Sequence, residues 1–467
     1  MKTLLFFLLL LSLCFTNDIK VTQSAQYTGD RLTQKDEINF SNKAENNLKI
    51  QIDPTKTYQN ITGFGGAFTE ACAVNFLKLS SDLQNEIFSQ YFHNIGYSLC
   101  RVHINSCDFS ESSYSFDDTV NDYSLSSWSL NNGHDPKTLI PLIKKALTFN
   151  PNLQIYGSPW SPPAWMKGNN EMCHSSYPGL KADSRIHQAW ALYFSKWISA
   201  YKQSGIPIWG LTIQNEPEFA APWEACIYTP DQEADFLAQY LGPQIKHDHP
   251  EIKIMIYDHN KDHLETWANT IFSRSDASKF ADGVAFHWYS GSQFENVKNV
   301  YDNWGDKFFL LATEACVCPA TGFQDWNRGE QYGYDIIGDL NSGSVGWVDW
   351  NMCLNMQGGP NHLGNNCGSP VMVDADSNPQ TITFTTPFYY MGQISKFLKP
   401  GSTILDTQII NGDENLIAVT GQTLDKKIVV VVQNQNDSER NFDLVYRNKI
   451  ANISMPQHSI TSFVFDA

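Results

Sequence analysis

Between residues 60 and 395 the sequence alternates eight short β-rich runs with longer segments of helical period, and no other feature narrows the fold so far. The runs occupy 61–68, 98–104, 153–160, 208–214, 253–258, 283–289, 308–315 and 344–351. Between them, residues such as Ile186, Trp190, Phe194, Trp197 and Tyr201 recur at steps of three or four, which builds one apolar helix face. Eight strand-helix units predict an α/β fold, a closed (β/α)8 TIM barrel over 55–399. A doubly wound open sheet competes with it, but that fold calls for a Gly-rich phosphate turn, and Gly63-Phe64-Gly65-Gly66 does not fit the fingerprint. After Pro400 the pattern changes to strands at 415–420, 427–433, 441–446 and 459–465, with turns at Asn411-Gly412 and 434–437. Residues 400–467 are therefore expected to form an accessory all-β sandwich. The alternation of Leu48, Ile50 and Ile52 suggests that 17–54 adds N-terminal strands to it, bringing both chain ends together.

Composition sets the function classes. With 42% hydrophobic residues and 13% aromatics in 467, the chain can bury a large core, and its net charge of -17 would repel a phosphate backbone, so no nucleic-acid partner is expected. Lys2 precedes an apolar run ending near Phe15, which reads as a signal peptide over 1–16. A membrane anchor would need roughly 20 apolar residues, and no later run is long enough, so no transmembrane segment is predicted. Entry into the secretory pathway makes Asn39, Asn60, Asn436 and Asn452 glycosylation candidates. Of ten cysteines, nine remain once Cys14 leaves, so at least one thiol stays free. Cys353 and Cys367, in a polar Gly-rich and Asn-rich segment, form the plausible bridge, whereas Cys100 and Cys316 read as buried thiols. Cys316-x-Cys318 lacks a companion Cys or His pair at ligand spacing, so no metal site is expected there.

In a barrel of this kind the chemistry projects from the C-terminal ends of the strands. Six runs close on polar or aromatic residues: Asn105-Ser106-Cys107-Asp108, Ser158-Pro159-Trp160, Gln214-Asn215-Glu216-Pro217, His287-Trp288-Tyr289, Thr313-Glu314-Ala315 and Asp349-Trp350-Asn351. A lone carboxylate there is often a structural cap, and most of the 13 Trp must pack the core. Two Glu on strands three apart, facing a Trp and Tyr rim, instead suit glycosidic bond cleavage, in which one carboxyl protonates the leaving oxygen and the other attacks carbon or activates water. Trp160 and Trp350 offer apolar faces to sugar C–H groups, and Asp108, Asn215 and His287 offer partners for hydroxyls. Arg101, inward by its alternation with Val102, either adds positive charge near the carboxylates or forms a plain buried ion pair.

The runs Gly63-Phe64-Gly65-Gly66-Ala67-Phe68-Thr69-Glu70, Ser106-Cys107-Asp108-Phe109-Ser110, Ser158-Pro159-Trp160-Ser161-Pro162-Pro163-Ala164-Trp165, Asn215-Glu216-Pro217, Phe286-His287-Trp288-Tyr289, Thr313-Glu314-Ala315-Cys316 and Gly346-Trp347-Val348-Asp349-Trp350-Asn351 resemble, in order, those of the glucosylceramidases of glycoside hydrolase family 30. The resemblance implies a retaining β-glucosidase that splits glucosylceramide into glucose and ceramide, with Glu216 as general acid/base and Glu314 as nucleophile. It implies that Asn215 holds the sugar 2-hydroxyl, that Asp108, Trp160, Trp350 and Asn365 bind the remaining hydroxyls and ring face, and that Tyr289 hydrogen-bonds the nucleophile. His287 would orient the site, and Cys316 would face it without reacting. It further implies no cofactor or metal, a glycolipid substrate at a membrane surface, a saposin-type activator among the partners, and a lysosome, an acidic vacuole or the medium as destination.

At a retaining site the carboxyls are expected about 5 Å apart, with ionised Glu314 raising the pKa of Glu216 and giving a mildly acidic optimum. The sequence departs from animal members in having no Cys between the leader and Cys72, so their N-terminal disulfides do not carry over. Other family activities on xylosides, xylan or β-1,6-glucan share the mechanism; the segment 354–368, which resembles its glucosylceramidase counterpart, favours the lipid. A non-catalytic carbohydrate-binding protein would not need both glutamates.

Overall fold

The eight runs become the strands of a closed parallel barrel: Gly63–Phe68, Leu99–Ile104, Gln154–Pro159, Gly210–Thr212, Lys253–Asn260, Gly283–His287, Phe309–Glu314 and Ser344–Asn351. Each lies beside the next in sequence, and the eighth closes on the first through Gly346↔Gly63 and Trp347↔Phe64. This is a computed structural model, and it describes residues 18–41, 43–177 and 179–467; the leader read as a signal peptide lies outside them. Glycine allows the closure. A Cβ on Gly65 would fall 1.7 Å from the Leu99 carbonyl oxygen and one on Gly346 2.1 Å from that of Gly63, so the Gly63-Phe64-Gly65-Gly66 run serves strand packing. Leu99, Tyr156, Met255, Ala285, Leu311, Val345 and Val348 cluster as one apolar group contributed by six of the barrel strands.

The helix predicted from Ile186, Trp190, Phe194, Trp197 and Tyr201 spans Ser184–Gln203, begins on an Asp183 side chain that accepts from the Arg185 N–H, and buries all five residues. Truncating Trp190 or Trp197 there would cost about 3–5 kcal/mol. At the other end of the barrel, strands five, seven and eight each slip register by one residue, between Tyr257 and His259, Ala312 and Glu314, and Asp349 and Asn351. Such bulges re-aim side chains. At the first, Tyr257 and Asp258 both take left-handed backbone, at φ 71° and 74°, a conformation that costs free energy and is held by its surroundings.

Nine further strands form one ladder in the order Lys449–Met455, Arg440–Tyr446, Lys49–Asn60, Thr403–Ile410, Leu416–Gln422, Lys427–Asn434, Ser459–Asp466, Asp18–Ala25 and Thr33–Asn39. Arg440–Tyr446 and Ser459–Asp466 stand five places apart, roughly 24 Å in a flat sheet. Yet the rings of Phe442 and Phe463 are 6.4 Å apart and those of Tyr446 and Phe465 5.3 Å, so the ladder folds over a shared apolar core as a sandwich. Its N-terminal strands pair as expected, Asp18–Ala25 against the last strand and Lys49–Asn60 between two others. Thr403–Ile410 and Lys449–Met455 were not anticipated, nor was the three-stranded sheet Cys353–Asn355, Val371–Asp374 and Thr381–Phe384 that carries the segment after strand eight.

Two expectations change. The bridge joins Cys318 to Cys367, whose Cα atoms are 4.2 Å apart. Cys353 instead points into the core as a free buried thiol beside Cys72, because its strand packs on the first helix of the barrel. Cys100 and Cys316 are free and buried as predicted. Among the sequons, Asn39 and Asn60 are exposed, but Asn436 is buried and its amide nitrogen donates to Asp413 and Asn434, while that of Asn452 donates to Asp443. The folded chain therefore offers no free amide at Asn436 for a glycan. Among the described residues no helix is long and apolar enough to cross a membrane.

Candidate active site

The bulged strand ends surround a cavity of about 350 Å³ lined by Asp108, Trp160, Asn215, Glu216, Tyr289, Glu314, Cys316, Trp350 and Asn365, all named by the sequence. Glu314 ends strand seven with both oxygens engaged. Oε2 accepts from Arg101, and Oε1 accepts from the Tyr289 hydroxyl at 2.8 Å. Arg101 is fully buried and its guanidinium is shared out, with Nε donating to Ser158 at 3.0 Å and Nη2 to Asn215 at 2.8 Å and Asp258 at 2.7 Å. Both readings of Arg101 hold at once: it is a buried ion-pair partner, and it fixes Glu314 and Asn215.

Asp258 anchors this network and was missed by the sequence reading. Its carboxylate accepts from Arg101, Thr212 and Thr313, the last two at 2.6 Å, and pairs with His287 Nε2 at 3.0 Å. Burial alone would raise its pKa, but Arg101 and His287 outweigh burial and hold it well below the usual carboxylate range. The run Asp258-His259-Asn260 closes strand five on polar residues, the same signal that marked the other strands.

Glu216 follows strand four at φ 46°, with its N–H donating to the Asp258 carbonyl. Its Oε1 lies 3.5 Å from His287 Nδ1 and 3.6 Å from His259 Nδ1. Burial would raise Glu216, yet these imidazoles prevail and bring it down to about 2, the reverse of the rise expected from Glu314. Burial would likewise lower His287, but Glu314, Asp258 and Glu216 raise it to about 9. His287 is a second correction: fully buried and outside the cavity lining, it stands behind Glu216 and would not touch a sugar.

Asp108 accepts from Asn365 at 3.2 Å, and burial, aided by the Glu314 charge, pushes it up to about 8. Trp160 and Trp350 stack at 4.9 Å, with Arg101 4.7 Å from the Trp160 ring. The stack spends one face of each indole on its neighbour. Cys316 faces the Tyr289 hydroxyl at 3.4 Å and the Cys318 sulfur at 3.5 Å. Glu218, Phe219, Trp223, His259 and Asn260 join the wall unanticipated, beside Phe109 and the Cys318–Cys367 bridge. Two trios here have ligand-forming atoms, Glu216 with His259 and His287, and Cys316 with Cys318 and Cys367, but the second has two sulfurs committed to the disulfide.

Comparison with known proteins agrees with this geometry. Residues 61–398 match the glycosyl hydrolase family 30 TIM-barrel domain and 401–463 the family 30 beta sandwich domain. A putative glucosylceramidase 3 of Caenorhabditis elegans is 41% identical over 379 residues, covering 78% of this chain and 71% of the relative. The lysosomal acid glucosylceramidase of Mus musculus is 34% identical over 419 residues, 85% and 79% of the two chains. The solved structure of the endo-beta1,6-glucanase BT3312 superposes with a TM-score of 0.86 at 26% identity, covering 97% of this chain and 100% of that one. A closed barrel, a sandwich built from both chain ends and two carboxylates at the ends of strands four and seven converge on one conclusion: the chain belongs to glycosyl hydrolase family 30 and is a glycoside hydrolase.

Proposed function

We propose that the protein is a retaining β-glucosidase that hydrolyses glucosylceramide to glucose and ceramide. The observation that carries this reading is the clamp on Glu314, whose two oxygens are fixed by Arg101 and Tyr289 on the wall of a cavity that Glu216 also lines. A carboxylate held so can attack the anomeric carbon without reorienting, while the glycosidic oxygen leaves with a proton from Glu216. His287, raised by its carboxylate neighbours and 3.5 Å from Glu216 Oε1, stands where it can exchange a proton with Glu216. Glu216 then takes a proton from the water that releases glucose from Glu314. Asn215, which accepts from Arg101, would take the sugar 2-hydroxyl, and Asp108, Asn365, Trp160 and Trp350 on the same wall would bind the rest of the ring.

The mouth supports a lipid aglycone. Phe219 on the cavity wall is 43% exposed and packs edge-on against Trp223, giving an apolar edge beside a polar floor. This reading places the substrate at a membrane surface, makes a saposin-type activator a partner to test, and puts the chain in the secretory pathway, bound for a lysosome, another acidic vacuole or the medium. The likeness to an endo-beta1,6-glucanase favours a second reading, cleavage of a sugar polymer by the same groups. Ceramide release from glucosylceramide in anionic lipid micelles at acidic pH, measured for the purified chain and for Glu314→Gln, separates them. Release by the wild type and none by the variant supports the lipid reading; release of glucose from β-1,6-glucan with no ceramide release would overturn it.

A further inference from the structure

Behind the Asp108 wall, outside the cavity lining, three residues distant in sequence bring a thiol, a carboxylate and an imidazole together: Cys173, Glu224 and His362, whose ligand-forming atoms all lie within 4.8 Å of one another. We propose that they form a binding site for a single zinc ion. Glu224 is 1% exposed; its Oε1 accepts from Ser106 at 2.8 Å and Ser113 at 2.7 Å, but its buried Oε2 has no partner among the described residues. His362 Nδ1 lies 3.1 Å from the carbonyls of both Asp108 and Ser110. Carbonyls only accept, so Nδ1 carries the hydrogen, and in the neutral ring Nε2 presents its lone pair to the cluster. An imidazole whose other nitrogen donates to backbone carbonyl is the usual arrangement of a metal-ligating histidine. Nε2 is buried without a hydrogen bond among the described residues, 3.4 Å from Glu224 Oε1.

That separation suits a shared ion. Zinc bonds of about 2.0–2.3 Å at tetrahedral angles put ligand atoms about 3.3–3.6 Å apart. The frame is already fixed: Cys173 and His174 pair with Glu224 in isolated bridges, and the Lys167 ammonium ties down the Met172 and His174 carbonyls at 2.8 and 2.7 Å on either side of Cys173. Thiolate and carboxylate together would balance the ion's two charges, the thiol proton passing to solvent as the metal enters. The fourth position would fall to water or to the Ser113 hydroxyl, 3.6 Å from the Cys173 sulfur. The competing account is an imidazolium beside Glu224 with Cys173 a bystander, and Lys167 is the nearby cation that a metal must tolerate. Bound zinc would pin the segment carrying Asn365 to the Asp108 wall.

The test uses the full chain freed of metal with a chelator, titrated with zinc alone by calorimetry and with cobalt(II) by absorption. One ion per chain, a thiolate-to-cobalt charge-transfer band, and affinity lowered about tenfold or more in both Cys173→Ser and His362→Gln are expected. Glu216→Gln, which breaks the other His-carboxylate cluster, should bind unchanged. No binding, no thiolate band, or loss only in Glu216→Gln would overturn the proposal. Should Cys173→Ser fail to fold, His362→Gln and the cobalt band of the unaltered chain decide.

Discussion

Glu314 and Glu216 line one cavity, yet the first has an oxygen on Arg101 and the other on Tyr289, while the second faces two imidazole nitrogens at 3.5 and 3.6 Å with no side-chain hydrogen bond among the described residues. On the proposed mechanism the difference separates two chemical duties. A carboxylate pinned at both oxygens cannot rotate, which suits in-line attack on carbon. One beside a proton-bearing imidazole, free at its own oxygens, can pass a proton to and from an incoming oxygen. Asp258 imposes both conditions, since it holds Arg101 on one side and His287 on the other.

Removing the pinned group is the harshest way to break the contrast. Glu314→Gln should lower kcat about 10,000-fold or more with an unchanged circular-dichroism spectrum; residual activity near wild type would mean that the clamp holds a bystander. Glu216→Gln should cost about 100- to 1,000-fold on glucosides with poor leaving groups and far less on an activated aryl glucoside, whose departure needs no acid. Equal losses on both substrates would erase the distinction. Tyr289→Phe takes away one hydrogen bond to a charged oxygen, about 1.5–3 kcal/mol, so kcat should fall about 10- to 150-fold with little change in KM.

The smallest effect concerns pH. His287, raised to about 9, contributes stability that is complete below its ordinary value near 6.5 and is lost as pH climbs through 9. Asp108 and Asp349, pushed up to about 8 by burial, act in the same sense over the range from the ordinary carboxylate value to 8. Asp258 and Glu216, held low, contribute above the carboxylate range and lose that contribution only in strong acid. The melting midpoint should therefore fall between pH 6 and pH 9, with glucosidase activity falling alongside. A flat midpoint across that range would contradict the network.

Period and turn chemistry made the architecture legible: all eight barrel strands lie where apolar runs predicted them, and Leu48, Ile50 and Ile52 correctly tied the N-terminus to the sandwich. Lys449–Met455 carried the same signal in Ala451, Ile453 and Met455, whereas Thr403–Ile410 is half exposed and lacks clean alternation. At the site, residues on strand ends could be read because the barrel forces them inward. What could not be read depends on contacts between distant segments. Cys318 meets Cys367 across 49 residues, and spacing alone cannot choose it over Cys353. The low pKa of Glu216 follows from His259 and His287, which approach it from strands five and six. Asn436 fits the sequon but is spent on Asp413 and Asn434.

The assignment of the two glutamates rests most directly on where a trapped sugar becomes attached. Incubation with a 2-deoxy-2-fluoro-β-glucoside bearing a dinitrophenyl leaving group, followed by peptide mass spectrometry, should show loss of activity with one sugar per chain, esterified to Glu314. A sugar on Glu216, or turnover that releases α-glucose first with no adduct, would contradict the account.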